Sequence, residues 1–206
     1  MVGTWSVDGD IDVDTSNPED LRLDVDVDVS DLTVKSLGSV QLERVLTRFK
    51  RHFVDAKTGE EDFIWVGPAA RGFTQIEQVP WTLQMALITQ EDGGFYKHKG
   101  FSLLHVRGSL KRNIKEGRFA RGASTISMQT VKNVFLSPEK TLSRKIQEVL
   151  ITWQLEQFLD KADILELYLN VVEWGPHIFG VGQAARHFFD KTPDELTPLE
   201  CVYLAA

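Results

Sequence analysis

Residues 141–159 read TLSRKIQEVLITWQLEQFL, and this stretch decides the fold class. Leu142, Ile146, Val149, Leu150, Trp153 and Phe158 recur at the three-and-four spacing of one helix face, which predicts a long amphipathic helix with a broad apolar stripe. The neighbouring sequence reads the same way. Pro80 stands at a favoured first helical position before Trp81–Gln90. Ser102–Lys115 carries Leu103, Val106, Leu110 and Ile114 at helical spacing and stops at Gly117. Shorter helices are expected over Ala162–Asn170, Gly182–Phe189 and Pro198–Ala206. From about residue 75 onward the body is mainly α.

The N-terminal part differs. Leu21–Val29 alternates apolar and charged residues with period two, the pattern of a half-buried strand, and Asp10–Asp14 is a weaker copy. Ser16-Asn17-Pro18 between them is turn chemistry, and Phe63–Val66 reads as a further short strand ended by Gly67-Pro68. The Asp-x-Asp-x-Asp runs resemble the opening of a calcium loop, but Thr15 or Val29 stands where the sharp turn needs glycine, so solvated strand faces are the reading. Residues 1–31 hold ten acids against Arg22 alone, whereas the remainder has 20 acids and 22 bases. That shift marks a compositional boundary. The expected organisation is an acidic β-rich segment over 1–72, the end of a preceding domain, followed by a helical domain over 73–206.

Composition narrows the class. The 206 residues are 42% apolar and 26% charged, with five Trp and twelve Phe, which suits a packed core and excludes disordered and collagen-like chains. Cys201 is the sole cysteine, so no internal disulfide forms. No run of about 18 apolar residues suggests a membrane span, and the first residues lack the basic-then-apolar layout of an export signal.

Three constellations carry chemistry. The first is Glu91-Asp92 followed by Gly93, Gly94, Phe95 and His98. Acids at a helix C-terminus oppose the macrodipole at a cost of up to about 1 kcal/mol each, so a helix that keeps two of them invites a functional explanation. The plain alternative is a solvated loop with Phe95 in the core. The second is Gly122–Asn133, in which Ser124 can cap a helix, and Gln129 and Lys132 share a face suited to phosphate or sugar hydroxyls, or simply to water. The third is Arg144, Lys145 and Glu148, spaced to project together, either as a site or as a surface ion-pair cluster. Between the first two, residues 97–121 carry eight cations against Glu116, interleaved with apolar residues, a composition suited to anionic lipid headgroups. No nucleic-acid motif accompanies these cations, and the histidines show no metal-ligand spacing.

Together these segments resemble the peptidoglycan glycosyltransferases, the family-51 enzymes that polymerise lipid II. The resemblance runs from about Phe73 to Ala206. It rests on Glu91, Asp92, Phe95, His98 and Gly100; on Gly122, Ser124, Thr125, Ile126 and Gln129 with Lys132 and Asn133; on Arg144, Lys145 and Glu148; and on the segments 164–170 and 180–185, all in the family's order. Glu173-Trp174-Gly175-Pro176 is closer to the monofunctional branch. Met128 and Gly93 depart from the residues frequent at their positions.

The resemblance implies a mainly α, lysozyme-like fold with a membrane-dipping jaw. It implies Glu91 as general base toward the acceptor 4-hydroxyl and Glu148 as second catalytic carboxylate, with a divalent ion, Mg or Mn, as an accompanying cofactor. Asp92, Phe95, His98, Ser124, Thr125, Gln129, Lys132, Asn133, Arg144 and Lys145 would bind substrate. The implied partners are lipid II, the growing glycan strand and the membrane surface, at the periplasmic face of the bacterial inner membrane. The family usually carries an N-terminal membrane helix and continues past the position of Ala206, so the domain is expected to be incomplete at its C-terminus. A lytic glycan hydrolase and a non-catalytic wall-binding module are the competing classes; the first has no reason for a cationic pyrophosphate cluster or a basic apolar jaw, and the intact Glu91 and Glu148 argue against the second.

Overall fold

In the computed structural model, which describes residues 6–12, 22–28, 40–55, 58–117, 122–137 and 142–206, seven helices dominate the described residues. The chain forms two compact units, one of residues 1–41 with 102–124 and the other of residues 42–101 with 125–206.

In the first unit, β1 (Ser6–Asp12) pairs antiparallel with β2 (Arg22–Asp28), in the register Ser6 to Asp28 and Asp12 to Arg22. Residues 10–12 and 22–28 of these runs are thus in strands, while the rest of the runs and the turn read at Ser16–Pro18 lie outside the described residues. Helix α1 (Leu103–Glu116) ends at Gly117, whose φ of 62° is the left-handed geometry that stops a helix. The buried Ser109 hydroxyl donates to the Gly122 carbonyl at 2.9 Å, and Arg112 pairs with Glu116 at 2.8 Å. Leu103 is 55% exposed. Arg118, Phe119 and Arg121 of the basic stretch lie outside the described residues.

The second unit is built around α5 (Lys161–Val171), on which Ile164, Leu165, Leu167, Tyr168, Leu169, Asn170 and Val171 are all buried. Helices that are apolar nearly all round occupy the centre of a fold, and here α3 (Ile126–Phe135) packs on α5 and also on α4 (Leu142–Phe158). Helix α2 (Trp81–Asp92) packs on α7 (Pro198–Ala205), with α6 (Val181–Phe189) beside α5. A hairpin of β3 (Phe49–Val54) and β4 (Glu61–Val66) lies against α3. A second hairpin joins β5 (Glu173–Gly175) to β6 (Ile178–Phe179), carrying Trp174-Gly175-Pro176. Asn170 ties α5 to the loop before α2: its amide accepts from Thr74 N and donates to Thr74 O, both at 2.8 Å.

Two sequence expectations change. The boundary read at 72/73 falls inside the second unit, because Val45, Phe49 and Val66 share one buried cluster with Val134, Leu167 and Val171. The hairpin thus belongs with the helices by packing, whatever its composition. In addition, α4 turns the other way from its predicted stripe. Ile146 is 50% exposed and Trp153 38%, while Glu148, Ile151, Thr152, Leu155 and Glu156 are buried. Polar pairing explains the reversal. Ser127 of α3 donates to Glu156, Lys161 Nζ reaches the same carboxylate at 2.7 Å, and Lys145 caps Glu148.

Candidate active site

The second acid of the first motif is used by the fold. Asp92 is fully buried, both its oxygens lie 3.0 Å from His98 Nε2, and Oδ2 accepts from Ile126 N at 3.1 Å. Ile126 opens α3, so the carboxylate meets an otherwise unpaired N–H at the positive end of that helix. That resolves the oddity of two acids at the end of α2: one serves the start of another helix. The cap of α3 is Thr125 rather than Ser124. Its hydroxyl oxygen accepts from Met128 N and its proton goes to the Gly100 carbonyl at 2.6 Å. Gly100 has φ of 87°, and a Cβ there would lie 2.9 Å from Thr152 Cγ2 of α4, so this close approach requires glycine. Phe95 is fully buried beneath the knot. Asp92, Phe95 and Thr125, expected from sequence to bind substrate, are therefore enclosed, and the Asp92 carboxylate and Thr125 hydroxyl bond to α3 and to the loop that follows α2.

Glu91 differs. It is partly exposed, and its Oε2 accepts from Gln129 Nε2 of α3 at 2.8 Å. The buried Tyr168 hydroxyl lies 3.5 Å from the other end of the same amide. Burial pushes the Tyr168 phenol well above its ordinary range, and the negative charge of Glu91 pushes it in the same direction. So α2, α3 and α5 each contribute one group to a carboxylate aimed by an amide over a neutral phenol. Such a carboxylate can accept a proton from a hydroxyl brought to it.

The third motif lies on the first turns of α4. Glu148 is only 2% exposed, and Lys145, half in solvent, donates to it. Arg144 Nη1 donates to Ser137 O at 3.4 Å, at the end of α3. Lys132 is exposed on α3, and Ser124 is half-buried just before it. The sequence spacing of Lys145 and Glu148 thus does produce an ion pair, but one buried at its acidic end. Among the described residues no group of His, Cys, Asp and Glu side chains could hold a metal ion, and one oxygen of Glu148 is taken by Lys145. Among the described residues, then, no such group is available to the Mg or Mn ion implied by the resemblance.

Sequence reasoning missed Arg51. It is 6% exposed on β3, donates from Nη2 to Asn133 Oδ1 at 2.7 Å, and stacks over Phe179 at 4.5 Å. Asn133 Nδ2 in turn donates to Gln129 O at 2.8 Å, so both ends of that amide are engaged within the protein. The alternation Phe49, Arg51, Phe53 was the available signal, obscured by charges on both sides of the strand.

A helical unit with an amide-aimed carboxylate at the meeting of three helices defines a class that comparison with known proteins identifies. Residues 62–206 match the family model described as transglycosylase, and the chain belongs to that family. Its relatives include the biosynthetic peptidoglycan transglycosylase of Nitrosomonas eutropha, 46% identical over 142 residues, or 68% of this chain and 58% of that protein. The protein of the same name from Cupriavidus metallidurans is 42% identical over 142 residues, covering 69% and 61%. That of Nitrosomonas europaea is 48% identical over 130 residues, covering 63% and 53%. The chain thus spans little more than half the length of these curated relatives.

Proposed function

We propose that this chain carries out glycosyl transfer in peptidoglycan synthesis, joining lipid II units into glycan strands. Glu91 takes the proton of the acceptor 4-hydroxyl as that oxygen bonds to C1 of the donor's N-acetylmuramyl unit. The C1–oxygen bond to undecaprenyl pyrophosphate breaks, the pyrophosphate leaves with the electron pair, and C1 inverts. Lys132, Arg144 and Lys145 face the charge that grows on the leaving group, which fixed cations stabilise. Glu148 orients Lys145, and Gln129 orients Glu91. The observation that carries this reading is the partly exposed Glu91 carboxylate held by Gln129, with the phenol of Tyr168 behind it.

The lipid-linked substrate sets the location. Leu103 and Val106 are exposed on α1 beside Arg107, Lys111, Arg112 and Lys115, which supports contact with anionic headgroups. The reading places this chemistry at the periplasmic face of the inner membrane. Among the described residues no helix is long and apolar enough to cross a membrane. Incubating the purified protein with lipid II in detergent tests the reading. Glycan chains are expected. Cleavage of preformed glycan without polymerisation would make the protein a hydrolase, and no reaction with either would remove the catalytic reading.

A further inference from the structure

Burying a guanidinium is expensive, and replacing a buried ion by an apolar residue of similar volume is often neutral or stabilising. Arg51 is nevertheless enclosed on the inward side of β3, next to Phe49, which is itself in the apolar cluster. Its burial disfavours the charge, with the Glu173 carboxylate offsetting part of that effect. Its Nε and Nη1 have no hydrogen-bond partner among the described residues. Fold stability is therefore a poor reason for this cation.

The position of Arg51 suggests another reason. Asn133 stands four residues after Gln129, so the two share a face of α3, about 6 Å apart along the axis. Arg51 donates to Oδ1 of the Asn133 side chain, and Nδ2 of that side chain donates to the main-chain carbonyl of Gln129. From the next turn of that face, the Gln129 side chain holds Glu91. The far side of Arg51 rests on Phe179 of the β5–β6 hairpin. One planar group thus ties β3, α3 and β6 together at the turn adjoining the residue that aims the carboxylate. Arg51 also lies ahead of the segment 62–206 that matches the family.

We propose that Arg51 is a positioning residue for glycosyl transfer: through Asn133 it sets the face of α3 from which Gln129 orients Glu91. The proposal rests on the catalytic reading of Glu91 given above. It makes the β3–β4 hairpin part of the working site, acting on the catalytic geometry without touching substrate.

The test compares the wild-type chain with Arg51→Met, Asn133→Leu and the double variant, measuring lipid II turnover and melting temperature. Arg51→Met is expected to lower kcat at least tenfold, with KM within about twofold of wild type and the melting temperature not reduced. The double variant should be no worse than the poorer single variant within about twofold, because both changes break one linkage. Multiplying effects, an altered KM at unchanged kcat, or turnover within twofold of wild type would each overturn the proposal. If Arg51→Met does not fold, Arg51→Lys serves, since an ammonium keeps the charge without the planar fork. A turnover-free arm follows the Gln129 side-chain amide by NMR, assigned by its loss in Gln129→Ala. That signal should move in the Arg51 variants, and an unmoved signal refutes the linkage. A wild-type protein inert toward lipid II would count against the catalytic reading alone, leaving the NMR arm to decide the positioning role.

Discussion

Replacing Asp92 by alanine should damage the fold rather than substrate affinity. The side chain is fully buried and serves two groups, Ile126 N at 3.1 Å and His98 Nε2 at 3.0 Å. Removing it leaves both groups enclosed without that partner, at about 1–3 kcal/mol each. It also strips the anion from the N-terminus of α3, worth about 0.3–1 kcal/mol. The expected loss is therefore about 5 kcal/mol in the middle of the summed range, and a unit of this size should melt roughly 10–20 °C lower. Thermal and urea unfolding with unchanged urea slope measure the loss, and turnover of the folded fraction measures KM. A stability change below about 1 kcal/mol combined with a raised KM would mean that Asp92 faces substrate, and the assignment of this acid to the fold would be wrong.

Other outcomes follow from the same structure. Gly100→Ala should destabilise by about 1–3 kcal/mol, because φ is 87° and Thr152 Cγ2 would lie 2.9 Å from the new methyl; an unchanged melting temperature would contradict that close approach. Serine at Leu103, Leu110 and Ile114 should weaken binding to anionic liposomes with little change in melting temperature, whereas a collapse of the melt would make these side chains core. The Glu200 carboxyl is lowered to about 2, first by its hydrogen bonds from Lys191 and then by the Thr197 backbone N–H. A depressed acid contributes stability that is present above the ordinary value of 4.5 and is lost as pH falls through about 2. Melting curves of wild type and Glu200→Gln should therefore differ at neutral pH and converge across that window, and a pH-independent gap would refute the linkage.

The helices were legible because their apolar residues recur at helical spacing, and every predicted body helix is present within a turn of its expected ends. What periodicity could not supply was orientation. On α4 it pointed Ile146 and Trp153 inward, but Glu148, Thr152 and Glu156 occupy that face, because α3 and Lys161 meet it with polar partners. A rule that places apolar residues inside fails where a helix buries carboxylates against polar partners. Strand β3 was not legible for a related reason: Arg51 on its inner side breaks the alternation that marks a strand. The oddity of two acids at the end of α2 was visible, yet their separate duties were not. Asp92 finds its partner 34 residues later and Glu91 finds its own 38 residues later, and no local pattern names either.

The central claim is that Glu91 accepts the proton in glycosyl transfer. Glu91→Gln keeps the shape and a hydrogen-bonding partner for Gln129 but cannot take up that proton. Lipid II polymerisation by this variant, measured beside wild type with melting curves and substrate binding as controls, tests it most directly. The account predicts a loss of about 10²–10⁴-fold in turnover with fold and binding retained. Retention of more than roughly a tenth of wild-type turnover would contradict it, because the loss of a general base leaves far less.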